Sequence, residues 1–137
     1  MKSFACMFAG LLILGELALL GCGSSRQLQS ITVSPATADA KNFPNGQVPF
    51  TATGMYSKPP SPSPLTSNDV QWCVGSSSGA CAGNIFPGAT VDSNGVAQCG
   101  GVFTGTVFVL AGTEGSVKNP DGGQQFKIFG SAQITCP

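Results

Sequence analysis

Between Leu28 and Cys136 the chain is written in short runs that alternate apolar or β-branched residues with polar ones, each run closed by Gly, Pro, Asn or Asp. A period of two puts neighbouring side chains on opposite faces of an extended backbone, so such runs predict strands with one buried face. Leu28, Ile31 and Val33, separated by polar residues, predict a first strand that ends at Pro35. Val48, Phe50, Ala52 and Gly54 predict a second; Pro49 lacks an amide donor, which assigns that strand to an edge or starts its ladder after the proline. Val70, Trp72 and Val74 predict a third with Trp72 inward, and Ile85-Phe86 is a short apolar patch. Thr90 to Ala97 predicts a hairpin turning at Asn94-Gly95, the preferred pair for a type I′ turn. Thr104 to Ala111 is apolar and β-branched throughout, as in a central buried strand, and Phe126 to Ile134 alternates along a last one that closes at Cys136. Helix formers are scarce and no segment carries a helical period. The expected fold is therefore all-β: a sandwich of about seven strands, immunoglobulin-like in having an inward Trp on its third strand, with Trp72, Phe50, Val107 and Val109 in its core.

Ahead of these runs stands an export signal. Lys2 supplies a positive start, Phe4 to Leu14 is almost wholly apolar, and Leu17 to Leu20 continues the run. Leu19-Leu20-Gly21-Cys22 resembles the lipobox of bacterial lipoproteins, although Leu20 and Glu16 depart from its usual pattern. The resemblance implies removal of residues 1–21 and acylation of Cys22, with 22–27 as a mobile lipidated tether and 28–137 as the folded domain. The alternative is an uncleaved anchor of about 20 residues, enough to span a bilayer. Cys6 falls in the removed segment, and Gly23 after the cysteine resembles the outer-membrane pattern. The partner implied at this end of the molecule is the membrane, through the lipid on Cys22.

Composition excludes several functions. The chain has six basic and six acidic side chains and no histidine. No cluster of Lys and Arg exists to displace counterions, which argues against nucleic acid, and no polybasic patch exists for anionic lipid. Without histidine, Ser-His-Asp and Cys-His triads cannot form. The carboxylates beyond the signal, Asp39, Asp69, Asp92, Glu114 and Asp121, lie at predicted strand ends or turns, where such residues shape the backbone. Calcium at Asp92 with Asn94 is a weaker reading than a hairpin turn. Gly100-Gly101 and Gly122-Gly123 do not join a strand to a helix and are not phosphate loops. No metal and no cofactor are expected. Lys58 to Pro64 predicts a stiff polyproline-like loop between strands, and Tyr56 is a candidate exposed contact residue.

Five stretches, taken in order, resemble the bacterial immunoglobulin-like domains of the second group, found in invasin- and intimin-like surface proteins and in small lipoproteins. They are Ile31 to Pro35, Val48 to Tyr56, Val70 to Trp72, Ala89 to Val96 and Gly105 to Gly112. The resemblance covers roughly Leu28 to Gly112. It implies an immunoglobulin-like sandwich used in surface display, adhesion or spacing, and it carries no catalytic motif. The chain departs from the family in its cysteines, its Pro-rich loop, the long segment before its last strand and its single domain.

Cys73, Cys81, Cys99 and Cys136 remain once Cys6 and Cys22 are set aside, and an even number in an exported domain reads as disulfides. No paired CxxC spacing favours a metal. In the sandwich that the resemblance implies, all four fall near one pole, so three pairings are open. Cys73–Cys81 with Cys99–Cys136 is favoured, and Cys73–Cys99 with Cys81–Cys136 is the runner-up. The functional expectation is a non-catalytic envelope lipoprotein whose domain serves as a binding, adhesion or spacer module toward an envelope protein or glycan. The alternative is a periplasmic enzyme inhibitor that presents a disulfide-stapled loop.

Overall fold

The computed structural model describes residues 25–137 apart from 84, 87 and 119–123. The export signal expected over 1–21, the expected acylation site Cys22, and the Asp121 to Gly123 segment lie outside the described residues.

The chain is all-β. Its strands are β1 Leu28–Ser34, β2 Thr37–Asp39, β3 Gln47–Pro49, β4 Thr51–Tyr56, β5 Ser63–Leu65, β6 Gln71–Gly75, β7 Ile85–Phe86, β8 Ala89–Val91, β9 Val96–Cys99, β10 Gly105–Lys118 and β11 Gln124–Cys136. Two 3-10 turns, Ala40–Asn42 and Pro44–Gly46, join β2 to β3. Among the described residues eleven segments replace the expected seven, and prolines explain part of the difference. At Pro35 the first strand leaves β4 and crosses to run parallel beside β11, where the Gln133 amide donates to the Ala36 carbonyl at 2.9 Å. After Pro49 the second strand changes neighbours: β3 pairs with β9, and β4 pairs with β1 and β5. The Phe50 amide between them bonds the Gly95 carbonyl at 2.9 Å. Pro49 itself lies on the edge strand of the β3-β9-β8-β7 sheet, where a missing donor costs least. With β1–β2 and β3–β4 each counted as one strand, β5 and β7 are the short additions.

One layer holds β1-β4-β5 and β3-β9-β8-β7, joined through the β3–β4 run; the other is β2-β11-β10-β6. This places β1, β3–β4, β9 and β8 opposite β6, β10 and β11, the strand order of an immunoglobulin-type sandwich. Val107 and Val109 of β10 and Ile134 of β11 face Ile31, Phe50 and Ala52 of the other layer, all of them buried. Trp72 is 7% exposed and stands opposite Ala111, whose small side chain leaves the indole its room. Burying side chains of this size stabilises by roughly 1.5–3 kcal/mol each.

The β8–β9 turn differs from expectation. Asn94 is not among the residues with positive φ; Gly95 alone takes it, at +81°. The Gly95 amide donates to the Asp92 carbonyl at 3.1 Å, and the Asp92 carboxylate accepts from the amides of Asn94 at 2.9 Å and Val96 at 2.8 Å. This is a type I-like turn closed by a left-handed glycine, not type I′. The reason is Asp92: a carboxylate that binds two amides ahead of it holds Asn94 in the right-handed region.

Candidate functional site

Three places on the domain combine exposed chemistry with a defined frame. The first is the junction where the chain enters β1. Arg26 lies with its guanidinium carbon 3.3 Å from the centroid of the Tyr56 ring. Its Nε donates to the Lys58 carbonyl at 3.3 Å, and a terminal nitrogen donates to the Pro60 carbonyl. Gln27 continues the seam: its amide donates to Ser57 Oγ at 3.0 Å and its carbonyl accepts from the Ser57 amide at 2.9 Å. Ser61 Oγ accepts from the Tyr56 amide at 2.9 Å and folds the Pro-rich loop back on itself. Prolines withdraw amides from this loop, so its carbonyls can serve as acceptors for a fork-shaped cation. Residues 26 and 27 are thus fastened to the domain, where a mobile tether through residue 27 was expected. Tyr56, the candidate contact residue, is half-buried beneath Arg26.

The second place is the outer face of the β6-β10-β11 sheet. Cys73 and Trp72 are neighbours in β6 and point to opposite sides, so Cys73 lies outside the main core. It pairs with Leu110 in register and is bonded to Cys81, with 5.7 Å between their Cα atoms. Cys73, Cys81 and Leu110 are buried together beneath the loop that follows β6, with Phe108 and Phe126 against them. That loop lies flat. Gly75 is so close under the Ala80 carbonyl that no Cβ would fit. The amide of Val74 bonds Gly83 at 2.8 Å, and the Val74 carbonyl accepts from Ala82 at 2.9 Å, covering the edge of β6. Phe126 reaches this face because β11 carries one extra residue between Phe129 and Phe126 relative to β10. Thr113 Oγ1 holds the bulge, accepting from the Ile128 amide at 3.3 Å. Phe129 on the same face is 44% exposed.

The third place is the opposite pole from Arg26. Cys99 and Cys136 are bonded there, 5.6 Å apart at Cα, tying the end of β9 to the end of β11. Beside them a shallow cleft is lined by Lys41, Phe43, Gly100, Gly101 and Pro137, and Val102 stands fully exposed on the neighbouring loop. The cysteines therefore do not gather at one pole: Cys99–Cys136 does lie there, whereas Cys73–Cys81 sits at mid-height on the outer face.

The described aspartates all hold turns. Asp39 accepts from the Lys41 amide at 3.1 Å and pairs with its ammonium at 2.9 Å. Asp69 accepts from the Thr66 amide at 2.8 Å and hydroxyl at 2.7 Å. Asp92 holds the turn described above. Hydrogen bonding to the Lys41 side chain lowers the Asp39 pKa, and the Thr66 amide followed by its hydroxyl lowers that of Asp69. No group of three His, Cys, Asp or Glu side chains converges on a metal-sized site among the described residues.

Arg26 and the outer-face cluster carry more of this geometry than the sequence disclosed. A signal for the second exists, since Phe108 and Leu110 make β10 apolar on both faces. For Arg26 the signal is faint: a lone arginine two residues before a strand, and an aromatic residue ending the strand's partner. No protein-family model matches the chain, and no curated protein matches it. The fold and the three places together define a disulfide-stapled β-sandwich whose entering chain is clamped at one pole.

Proposed function

We propose that this chain is an exported, non-catalytic lipoprotein of the cell envelope, acylated at Cys22 and held at the outer membrane. Its single immunoglobulin-like domain, of the invasin- and intimin-type second group, serves as a binding, adhesion or spacer module. The observation that carries this reading is the use of Asp39, Asp69 and Asp92: each carboxylate is bonded into its own turn and none faces another across a cleft. Acid-base chemistry needs a carboxylate aimed at a ligand, whereas a recognition scaffold needs turns that hold their shape. The flattened Cys73–Cys81 loop also favours a module over an enzyme inhibitor, since insertion into a cleft needs a loop that projects. The partner is an envelope protein or glycan, with no role for nucleic acid.

The test is crosslinking in living cells on the tagged lipoprotein, read by mass spectrometry against Cys22→Ala. The expected outcome is an envelope component enriched by the acylated protein and retained when residues 75–80 are replaced. A single enzyme enriched by the native chain and lost on that replacement would overturn the module reading in favour of the inhibitor.

A further inference from the structure

The clamp on Arg26 fixes more than the start of a strand. Only Gly23, Ser24 and Ser25 separate it from Cys22. Four consecutive Cα steps span at most about 14 Å when fully extended. The bonds from Arg26 to the Lys58 and Pro60 carbonyls and its stacking on Tyr56 fix the chain at residue 26, so no more than that span lies between the domain and Cys22.

The topology says which part of the domain stands at that end. Leu28 pairs with Tyr56, so the chain enters where β4 gives way to the Pro-rich loop. β1 runs in the same sense as β11: Gly130 packs against Ile31, and Thr37, further along, pairs with Gln133. The end of the β10–β11 ladder nearest its connecting turn, where Lys118 stands opposite Gln124, therefore lies toward this pole as well. The Cys99–Cys136 bond, Lys41 and Val102 lie at the other. From Gly105↔Cys136 to Gly112↔Phe129 the ladder climbs seven residues, which at about 3.3 Å each separates the two levels by about 23 Å.

We infer that the pole carrying Arg26, Tyr56 and the Pro-rich loop is a membrane-facing surface that rests against the phospholipid headgroups, and that the Cys99–Cys136 pole is the end turned away from the bilayer. The inference rests on acylation of Cys22. With at most about 14 Å of chain between Cys22 and the clamp, the Lys58–Pro60 segment stays within reach of the headgroup layer, whose thickness with its partner leaflet adds about 10–15 Å to the hydrocarbon core. The clamp also opposes tumbling, because the guanidinium bridges the chain to the loop at two carbonyls and a ring. A partner in solution then meets the Cys99–Cys136 pole and the cleft beside Lys41 first.

Two native lysines report on the two poles. The lipoprotein is placed on phosphatidylcholine vesicles, which have no primary amines, and treated with a membrane-impermeant sulfonated amine-reactive ester. Labelling of Lys58 and Lys41 is read by mass spectrometry, and the same spectra read the mass at Cys22. The comparison is a chain with ten Gly and Ser residues inserted between Ser24 and Ser25, which lifts the same domain off the surface. The expected result is a Lys58-to-Lys41 labelling ratio at least threefold lower in the native chain than in the lengthened one. Arg26→Ala, at an exposed site, is expected to recover at least half of that difference. Acylated Cys22 with equal ratios in both chains overturns the membrane-facing assignment alone. Cys22 without acyl mass overturns the lipoprotein reading, and the assignment with it.

Discussion

Two Asn-Gly pairs in this chain differ at the asparagine, and a residue just ahead of each pair explains why. At Asn94-Gly95 the carboxylate of Asp92 keeps Asn94 right-handed and leaves the left-handed position to Gly95. At Asn45-Gly46 both residues have positive φ, +55° and +68°, after Pro44, with the Gly46 amide closing onto the Phe43 carbonyl at 3.0 Å. Proline presets the first position of such a turn and Asn tolerates the second. The dipeptide alone marks a turn without naming its type. A Cβ on Gly95 would lie 2.7 Å from both the Phe50 carbonyl and Trp72 Cζ2, so Gly95→Ala adds a core clash to backbone strain. A loss of about 2–4 kcal/mol is expected in urea unfolding. Asp69 supplies a pH signature. Its carboxyl is held below the usual carboxylate range by the Thr66 amide and hydroxyl. A depressed folded-state pKa contributes stability that is present above the unfolded value near 4 and lost as pH falls through the lower folded value. Unfolding midpoints measured from pH 6 down to 2 should therefore fall below about pH 4, and Asp69→Asn should flatten part of that fall while lowering the plateau.

At the scale of elements, the alternation of apolar and polar residues disclosed the main strands because each presents one face to the core. It did not disclose β5 or β7, whose three and two residues bury little. Nor did it disclose the bulge in β11, which is set by a side chain elsewhere, the Thr113 hydroxyl. The second apolar cluster escaped for another reason: a strand apolar on both faces reads as central, and Leu110 is covered by a loop instead of a layer. Leu110→Ala should cost about 2–5 kcal/mol in denaturant unfolding even though it lies outside the main core. The two disulfides should differ in worth. Cys99–Cys136 closes a separation of 37 residues and Cys73–Cys81 one of 8. Loop entropy predicts losses of about 4 and about 2.5 kcal/mol for the respective paired Cys→Ala variants. Equal losses would assign the worth of Cys73–Cys81 to the apolar cluster it covers.

For the molecule as a whole, the sandwich order was legible because it follows from strand count, the inward Trp72 and the run of β10, all local signals. The position of the entering chain was not, because it depends on contacts between residues 26 and 56 to 60 that no period or spacing encodes. The direction of β1 carries a mechanical consequence. Its first residue stands at the pole where the chain enters, and its ladder to β4 runs from there toward the Cys99–Cys136 end. A pull between the N-terminal end and that far pole would load the hydrogen bonds of β1 side by side, in shear, so that they must fail together and not one after another. At the far end the disulfide stops β11 from peeling away from β9. The domain is thus strongest along the axis that joins its two poles, the direction in which a load applied at the N-terminal end of the domain would act.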